Sequence, residues 1–116
     1  MLSDTIAAIS TASGEAAISV IRLSGPKALE IAGKAFKLPS KLVTRRAHLV
    51  QVLDENGAGI DSGVLLHFQG PASYTGEHVV EFHGHGGVLV TQRVLERVLA
   101  CGARAAEPGE FTQRAF

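Results

Sequence analysis

Apolar residues follow two kinds of spacing along this chain, and each kind predicts a different element. Continuous or alternating apolar stretches, which are typical of strands, lie at 4–10, 17–23, 47–53, 60–68 and 78–83. Helical spacing is found at 28–36 and 88–100, and the second of these has one apolar stripe made of Val90, Val94, Leu95, Val98 and Leu99. A further short strand is predicted at 103–106, and another helix is predicted to begin near residue 108.

Glycine and small polar residues mark the connections between these elements. Ser24-Gly25-Pro26 ends one strand and opens the first helix, with Ser24 as the predicted N-cap. Asn56-Gly57 predicts a hairpin between two strands. The glycine-histidine run at 84–87 predicts a tight strand-to-helix connection, whose backbone N–H groups would suit an anion or a polar ligand edge.

Length and charge limit the classes of protein to which the chain can belong. The chain has 116 residues, 46% of them hydrophobic, which is enough for one domain with a buried core. It carries 11 basic and 11 acidic residues, and this balance argues against a domain that grips nucleic acid by charge alone. A local basic patch around Lys37, Lys41, Arg45 and Arg46 stays an open alternative.

The remaining composition points to a cytoplasmic domain. The single cysteine, Cys101, excludes an internal disulfide, and its apolar helical register favours a small buried hydrophobe. No apolar run reaches the roughly 18 residues of a membrane span, and the first residues lack the basic region of a signal peptide. The last predicted helix reaches Phe116 without a cap, so we expect the chain to be a piece of a longer protein.

Glu81 is the first candidate for chemistry, because it lies within an apolar strand. Alternation places Val79, Glu81 and His83 on one face of that strand, with Val80 and Phe82 on the other. A carboxylate in such a place needs a partner. The spacing alone favours a structural ion pair, and the alternative is a carboxylate that accepts two parallel N–H groups from a ligand such as a pterin or guanine edge.

Arg22 and the histidines are the other candidates. Arg22 alternates in phase with Ile18 and Val20, and on a buried side it would either pair with Glu81 or hold an anionic ligand group. His83 and His85 form a His-x-His pair, which is a weak metal signal without a third ligand at a recognised spacing. We therefore expect no metal site. The sequence also has no phosphate-binding Gly-x-x-x-x-Gly-Lys-[Ser/Thr] loop and no recognisable catalytic triad, so we expect no catalytic residue and no GTP hydrolysis.

Several runs together resemble one family, the N-terminal domain of the bacterial tRNA-modification GTPases called MnmE or TrmE. The matching runs occur in family order and cover the whole chain. They are Asp-Thr-Ile-Ala-Ala-Ile at 4–9, Ile-Arg-Leu-Ser-Gly-Pro at 21–26, Ile-Asp-Ser-Gly at 60–63, Pro-Ala-Ser-Tyr-Thr-Gly-Glu at 71–77, Val-Glu-Phe-His-Gly-His-Gly-Gly at 80–87 and Gly-Ala-Arg-Ala-Ala-Glu-Pro-Gly-Glu-Phe-Thr-Gln-Arg-Ala-Phe at 102–116. The Ser-Tyr-Thr-Gly-Glu and Pro-Gly-Glu-Phe-Thr runs are the most specific.

The resemblance implies an α/β (α+β) fold for residues 1–116: one domain with a mixed β-sheet and two to three helices, similar to the tetrahydrofolate-binding domains of glycine-cleavage-type proteins. It implies a homodimer that holds a reduced folate, 5-formyltetrahydrofolate or a related tetrahydrofolate, near the dimer interface. The folate would supply a one-carbon unit for the wobble uridine of certain tRNAs, in a reaction run with the FAD-containing partner MnmG, also called GidA.

Two family ligand positions carry over by resemblance, Arg22 and Glu81, and for Glu81 the resemblance reverses the preference toward ligand binding. The family places a further folate-contacting lysine beyond Phe116, and its GTPase domain and C-terminal cysteine motif have no counterpart here. Residues 13–17 also replace a Gly-Arg-Gly-Gly-like turn, with the loss of one positive charge. The alternative is a dimerisation scaffold that does not bind folate.

Overall fold

The computed structural model of the chain describes residues 4–10 and 18–116. Its elements in chain order are the strands β1 (Ile6–Ile9) and β2 (Ile18–Ser24), helix α1 (Ala28–Ala35), the strands β3 (His48–Leu53), β4 (Gly59–Phe68) and β5 (Val79–His85), helix α2 (Val88–Ala100), strand β6 (Arg104–Ala105) and helix α3 (Glu110–Ala115). The predicted elements are confirmed, with ends that differ by one or two residues for most of them.

The strands form one mixed sheet in the order β3-β4-β5-β2-β1-β6. Neighbouring strands are antiparallel except β1 and β6, which pair in parallel. The β3–β4 pair is the hairpin that Asn56-Gly57 predicts, and the Asp54 carboxylate holds its turn by accepting the backbone N–H groups of Asn56 and Ala58, each at 2.9 Å. The single domain with a mixed six-stranded sheet and three helices confirms the expected α+β fold.

The hydrophobic core lies between one face of this sheet and helices α1 and α2. The sheet contributes Ile21, Leu23, Leu65, Val80 and Phe82, and the helices contribute Ala28, Ile31, Ala32, Val94, Val98 and neighbouring residues. Burial of a side chain the size of leucine or phenylalanine contributes about 1.5–3 kcal/mol, so this layer supplies most of the driving force. The predicted apolar stripe of the second helix and the buried position of Cys101 are both confirmed.

The predicted N-cap at Ser24 is wrong. Helix α1 begins at Ala28, and the first backbone N–H before it, that of Lys27, donates to the hydroxyl oxygen of Thr5 at 2.9 Å. Ser24 is the last residue of β2 and lies on the sheet face opposite the helices, where its hydroxyl contacts Thr75 at 2.6 Å and donates to Glu77 at 2.8 Å. At Gly25 the chain crosses to the helical side of the sheet and passes close to Thr5. Glycine is required there, because a Cβ would lie 2.6 Å from Thr5.

The sheet face opposite helices α1 and α2 is covered at one end only. There, α3 and the connection between β4 and β5 lie over it, and Ile6, Ser24 and Val79 are buried. At the other end Ile18 and Leu49 are 58% and 86% exposed, and Val20, Val64 and Leu66 are half-buried. We call the second part the open end of the sheet. In the described part of the chain, no helix is both long and apolar enough to cross a membrane.

Candidate functional site

Arg22 and Glu81 lie opposite each other on the neighbouring strands β2 and β5. The arginine Nε donates to Glu81 Oε2 at 2.9 Å, and its Nη2 lies 2.9 Å from the same oxygen. The Glu81 side chain is only 16% exposed and that of Arg22 27%. The structure therefore brings the two predicted residues together as an ion pair, and their ligand contacts stay a prediction.

His83 supplies a second partner for the same carboxylate. Its Nε2 lies 3.1 Å from Glu81 Oε1, on the strand face that the sequence predicts for both residues. An ionised carboxylate has about four acceptor positions, and the contacts to Arg22 and His83 use three of them. A ligand that offers two parallel N–H groups would therefore take the remaining position and displace one of these contacts.

The guanidinium of Arg22 lies against two aromatic rings. Its Cζ is 5.7 Å from the ring centroid of Tyr74 and 5.7 Å from that of Phe111, which are distances at which a cation is attracted to an aromatic face. Arg22 lies on the sheet face opposite the helical core and is half-buried. It sits where the cover of α3 gives way to the open end of the sheet.

A cleft of about 450 Å³ contains the Glu81 carboxylate, which comes from strand β5. Its lining consists of Phe68 and Val79 from the sheet, Pro71, Ala72, Ser73 and Tyr74 from the β4–β5 connection, Arg45 from the α1–β3 connection, and Glu81 itself. The volume lies in the range of small-molecule sites in proteins. A carboxylate acceptor, aromatic rings and a separate cation suit a flat ring with N–H donors and an anionic substituent.

Comparison with known protein families decides the relationship of the chain. A family model described as "GTP-binding protein TrmE N-terminus" matches residues 5–116. The chain belongs to this family. The resemblance that the sequence motifs carry is thereby confirmed over nearly the whole chain.

Named relatives give the same result for the TrmE N-terminal family. A protein named tRNA modification GTPase MnmE from Nitratiruptor sp. is 51% identical over 112 residues, which are 97% of this chain and 25% of that protein. Proteins of the same name from Akkermansia muciniphila and Moorella thermoacetica are 51% and 50% identical, over 97% and 100% of this chain and 25% and 26% of their own lengths. The chain thus spans about a quarter of the length of these curated relatives.

A second polar cluster, which the sequence analysis missed, joins the two most specific runs of the TrmE N-terminal family. Arg114 is 3% exposed and lies 2.6 Å from Asp4, 3.1 Å from Glu77 and 3.2 Å from Glu110. Arg104 adds contacts of 2.6 Å to Asp4 and 2.5 Å to Glu110. We call these five residues the ionic cluster. Its one sign in the local sequence was the four-residue spacing of Glu110 and Arg114, which allows an ion pair along a helix.

The ionic cluster holds α3 and the β4–β5 connection beside the cleft. The Glu77 carboxylate also accepts the hydroxyl hydrogen of Ser24, which anchors it to the end of β2. The phenolic oxygen of Tyr74 lies 3.1 Å from the hydroxyl of Thr112, so the two covering segments also contact each other directly. The cluster therefore positions Tyr74 and Phe111 around Arg22.

The ionic cluster makes stability dependent on acid pH. Hydrogen bonds from Arg104 and then Arg114 lower the pKa of Asp4 from 3.8 to about 2, and hydrogen bonds from Arg104 and the Glu107 backbone lower the pKa of Glu110 from 4.5 to about 2. Both carboxyls take up protons more readily in the unfolded chain, so they stabilise the fold above about pH 4.5 and lose that contribution as the pH falls toward 2. We expect urea unfolding at a series of pH values to show this loss.

An Arg104→Gln variant should flatten the acid part of this profile, because it removes the largest cause of both pKa shifts. The matched control is Arg93→Gln, which changes an exposed arginine on α2. If the free energy of unfolding falls equally steeply from pH 4.5 to pH 2 in the Arg104 variant and in the unchanged chain, this assignment is contradicted.

The His-x-His pair is divided between two carboxylates. His83 contacts Glu81, whereas His85 Nδ1 lies 2.6 Å from Asp61, whose Oδ2 also accepts the His85 backbone N–H at 3.0 Å. Within 4–10 and 18–116, no group of three or more histidine, cysteine or acidic side chains could hold a metal ion. The altered turn at 13–17, where the sequence lacks one positive charge of the family, lies outside the described residues.

Proposed function

We propose that this domain is the folate-binding and dimerisation module of a tRNA modification GTPase. Membership of the TrmE N-terminal family and the name of the relatives, tRNA modification GTPase, support the link to tRNA modification. In this proposal a reduced folate, 5-formyltetrahydrofolate or a related tetrahydrofolate, occupies the cleft. The folate would supply the one-carbon unit that is placed on the wobble uridine of the tRNA.

The observation that carries the proposal is the half-buried Glu81 carboxylate in the cleft beside aromatic rings. The pyrimidine edge of a reduced pterin presents neighbouring N–H donors, and a carboxylate accepts such a pair with defined geometry. Phe68 and Tyr74 line the same cleft and give apolar surface to a flat ring. The residues present therefore fit this ligand without any rearrangement of the sheet.

Arg22 has the second role in this proposal. When a pterin edge with two N–H groups binds Glu81, it takes the remaining acceptor position and displaces one of the contacts that the carboxylate now makes. Arg22 would then hold a polar or anionic part of the folate, while the rings of Tyr74 and Phe111 keep its guanidinium beside the site. Neither residue acts as a general acid or base, and the domain alone performs no catalytic step.

Dimerisation and the larger assembly form the rest of the proposal. The open end of the sheet presents Leu49 and Ile18 beside the site, and a second copy of the domain would bury this apolar surface. In the full-length protein the module would work in the cytoplasm with the FAD-containing MnmG protein and with tRNA as the substrate of the complex. The balanced charge of the domain favours tRNA contacts made by other parts of that complex.

The proposal is tested by calorimetric titration of the domain with 5-formyltetrahydrofolate. We expect saturable binding that is lost in a Glu81→Ala variant, because among the described residues that line the cleft Glu81 supplies the only carboxylate. The matched control is Glu96→Ala, which removes an exposed carboxylate on α2 and should leave the titration unchanged.

Two outcomes would contradict the proposal in different ways. Undiminished binding by the Glu81 variant would place the ligand elsewhere. No binding to the unchanged chain, with a dimer seen by sedimentation, would instead favour the dimerisation scaffold, in which the domain positions its partners without folate. A chain that sediments as a monomer at all concentrations would remove the dimerisation part.

A further inference from the structure

Arg45 has a strained backbone at the edge of the cleft. Its φ of 65° is the left-handed conformation, and among the described residues it is the only non-glycine residue with a positive φ. The conformation is held by two bonds to one carbonyl, because the Arg45 N–H at 2.8 Å and the Thr44 hydroxyl at 3.0 Å both donate to the His67 oxygen. Strain that is held in this way is concentrated at functional positions.

The guanidinium of Arg45 is also held in place. Its Nη2 donates to the Ala72 carbonyl at 3.1 Å, and its Cζ lies 5.6 Å from the ring centroid of Phe68. Within the described part of the chain it has no carboxylate partner, whereas Arg22, Arg104 and Arg114 are each paired with one. Most of its N–H donors therefore remain available to a group that enters the cleft.

We propose that Arg45 forms an anion subsite for the carboxylates of the glutamate tail of the folate. This inference rests on the proposed function, and it assigns a direction to the ligand in the cleft. Glu81 and Arg45 line the same cleft with opposite charges. The pterin end of a folate offers N–H donors and suits the carboxylate, while its glutamate end is anionic and suits the planar fork of a guanidinium.

A purely structural role for Arg45 makes a different prediction. The contact with Ala72 ties the α1–β3 connection to the β4–β5 connection, so its loss would loosen one wall of the cleft. That would weaken every ligand of the cleft to a similar extent, with or without an anionic tail. The anion subsite instead requires that only ligands with a tail are affected.

The test compares two neighbouring arginine variants with two ligands. Arg45→Gln removes the cation and keeps a hydrogen-bonding side chain, while Arg46→Gln changes an exposed arginine next to it that does not line the cleft. The titrants are 5-formyltetrahydrofolate and 6-methyltetrahydropterin, which lacks the benzoylglutamate tail. We expect Arg45→Gln to weaken the tailed ligand by up to about fivefold, which is the upper end of the range for an exposed ion pair, and to leave the tailless pterin unchanged.

A salt series and a charge-conserving variant make the test specific. Salt should weaken the tailed ligand for the unchanged chain and for the Arg46 variant, and much less for Arg45→Gln. An Arg45→Lys variant keeps the charge and should recover part of the preference for the tail. Thermal unfolding of each variant checks that the domain is intact.

The outcomes separate this inference from the proposed function. Equal weakening of both ligands by Arg45→Gln, or no change in either, would overturn the anion subsite while folate binding stands. An unchanged chain that binds neither ligand would overturn both. Loss confined to the tailed ligand, absent in Arg46→Gln, is the expected result.

Discussion

Replacement of Arg114 by methionine is expected to lower the free energy of unfolding by about 3 kcal/mol. The methionine fills similar space but leaves Glu77, which is 18% exposed, without its counter-charge, and leaves Glu110, which is 12% exposed, with Arg104 alone. Removing one partner from a buried ion pair is costly for this reason. The change should also loosen α3 and the β4–β5 connection, because Arg114 contacts a carboxylate on each.

Urea unfolding followed by circular dichroism measures this effect. Arg93→Met is the matched control, since Arg93 is an exposed arginine on α2 outside the ionic cluster and should change stability by less than about 0.5 kcal/mol. Similar stabilities for the two variants would mean that the ionic cluster contributes little. Weaker folate binding in the Arg114 variant, at a temperature where it remains folded, is expected from the displaced Tyr74 and Phe111.

Replacement of Gly63 by alanine is expected to destabilise the sheet beneath the site by about 3 kcal/mol. A Cβ at this position would lie 2.2 Å from the backbone oxygen of His83 and 3.0 Å from the ring of Phe82. The carbonyl belongs to the neighbouring strand, so no side-chain rotation relieves the contact. The strands β4 and β5 must separate locally, which disturbs the pairing between these two strands next to Glu81.

The control for Gly63 comes from the same strand. Gly59→Ala adds the same methyl group where no atom lies within 4 Å, so we expect a small change or none. Equilibrium unfolding in urea compares the two variants directly. An equal loss in both would indicate a general cost of removing glycine from β4 rather than the close approach at Gly63.

Local periodicity explains why most elements were predictable. The apolar stripe of α2 and the alternation of Val80, Glu81 and Phe82 each reflect one buried face, and such a face leaves a repeat in the sequence. The hairpin at Asn56-Gly57 was predictable because its turn depends on adjacent residues. The candidates Arg22 and Glu81 could be named from burial logic, since a charged residue within an apolar strand needs a partner.

The remaining features depend on contacts between distant residues. The pairing of Arg22 with Glu81 depends on the register between β2 and β5, which neither strand specifies by itself. Ser24 has the residue type and position of an N-cap, yet it lies on the other face of the sheet. The hydroxyl of Thr5, the residue before β1, therefore accepts the N–H of Lys27 at the start of helix α1. The cleft likewise combines segments around residues 45, 68, 74 and 81, which no local pattern connects.

The ionic cluster also has a consequence for the order in which the domain assembles. Asp4 contacts Arg104 and Arg114, which follow it by 100 and 110 residues. A ribosome makes the chain from its N-terminus, and contacts this distant in sequence close only after both partners have been synthesised. The β3–β4 hairpin can form long before these contacts. The rings of Tyr74 and Phe111 beside Arg22, which the ionic cluster positions, are therefore among the last parts of the newly made chain to take their final places.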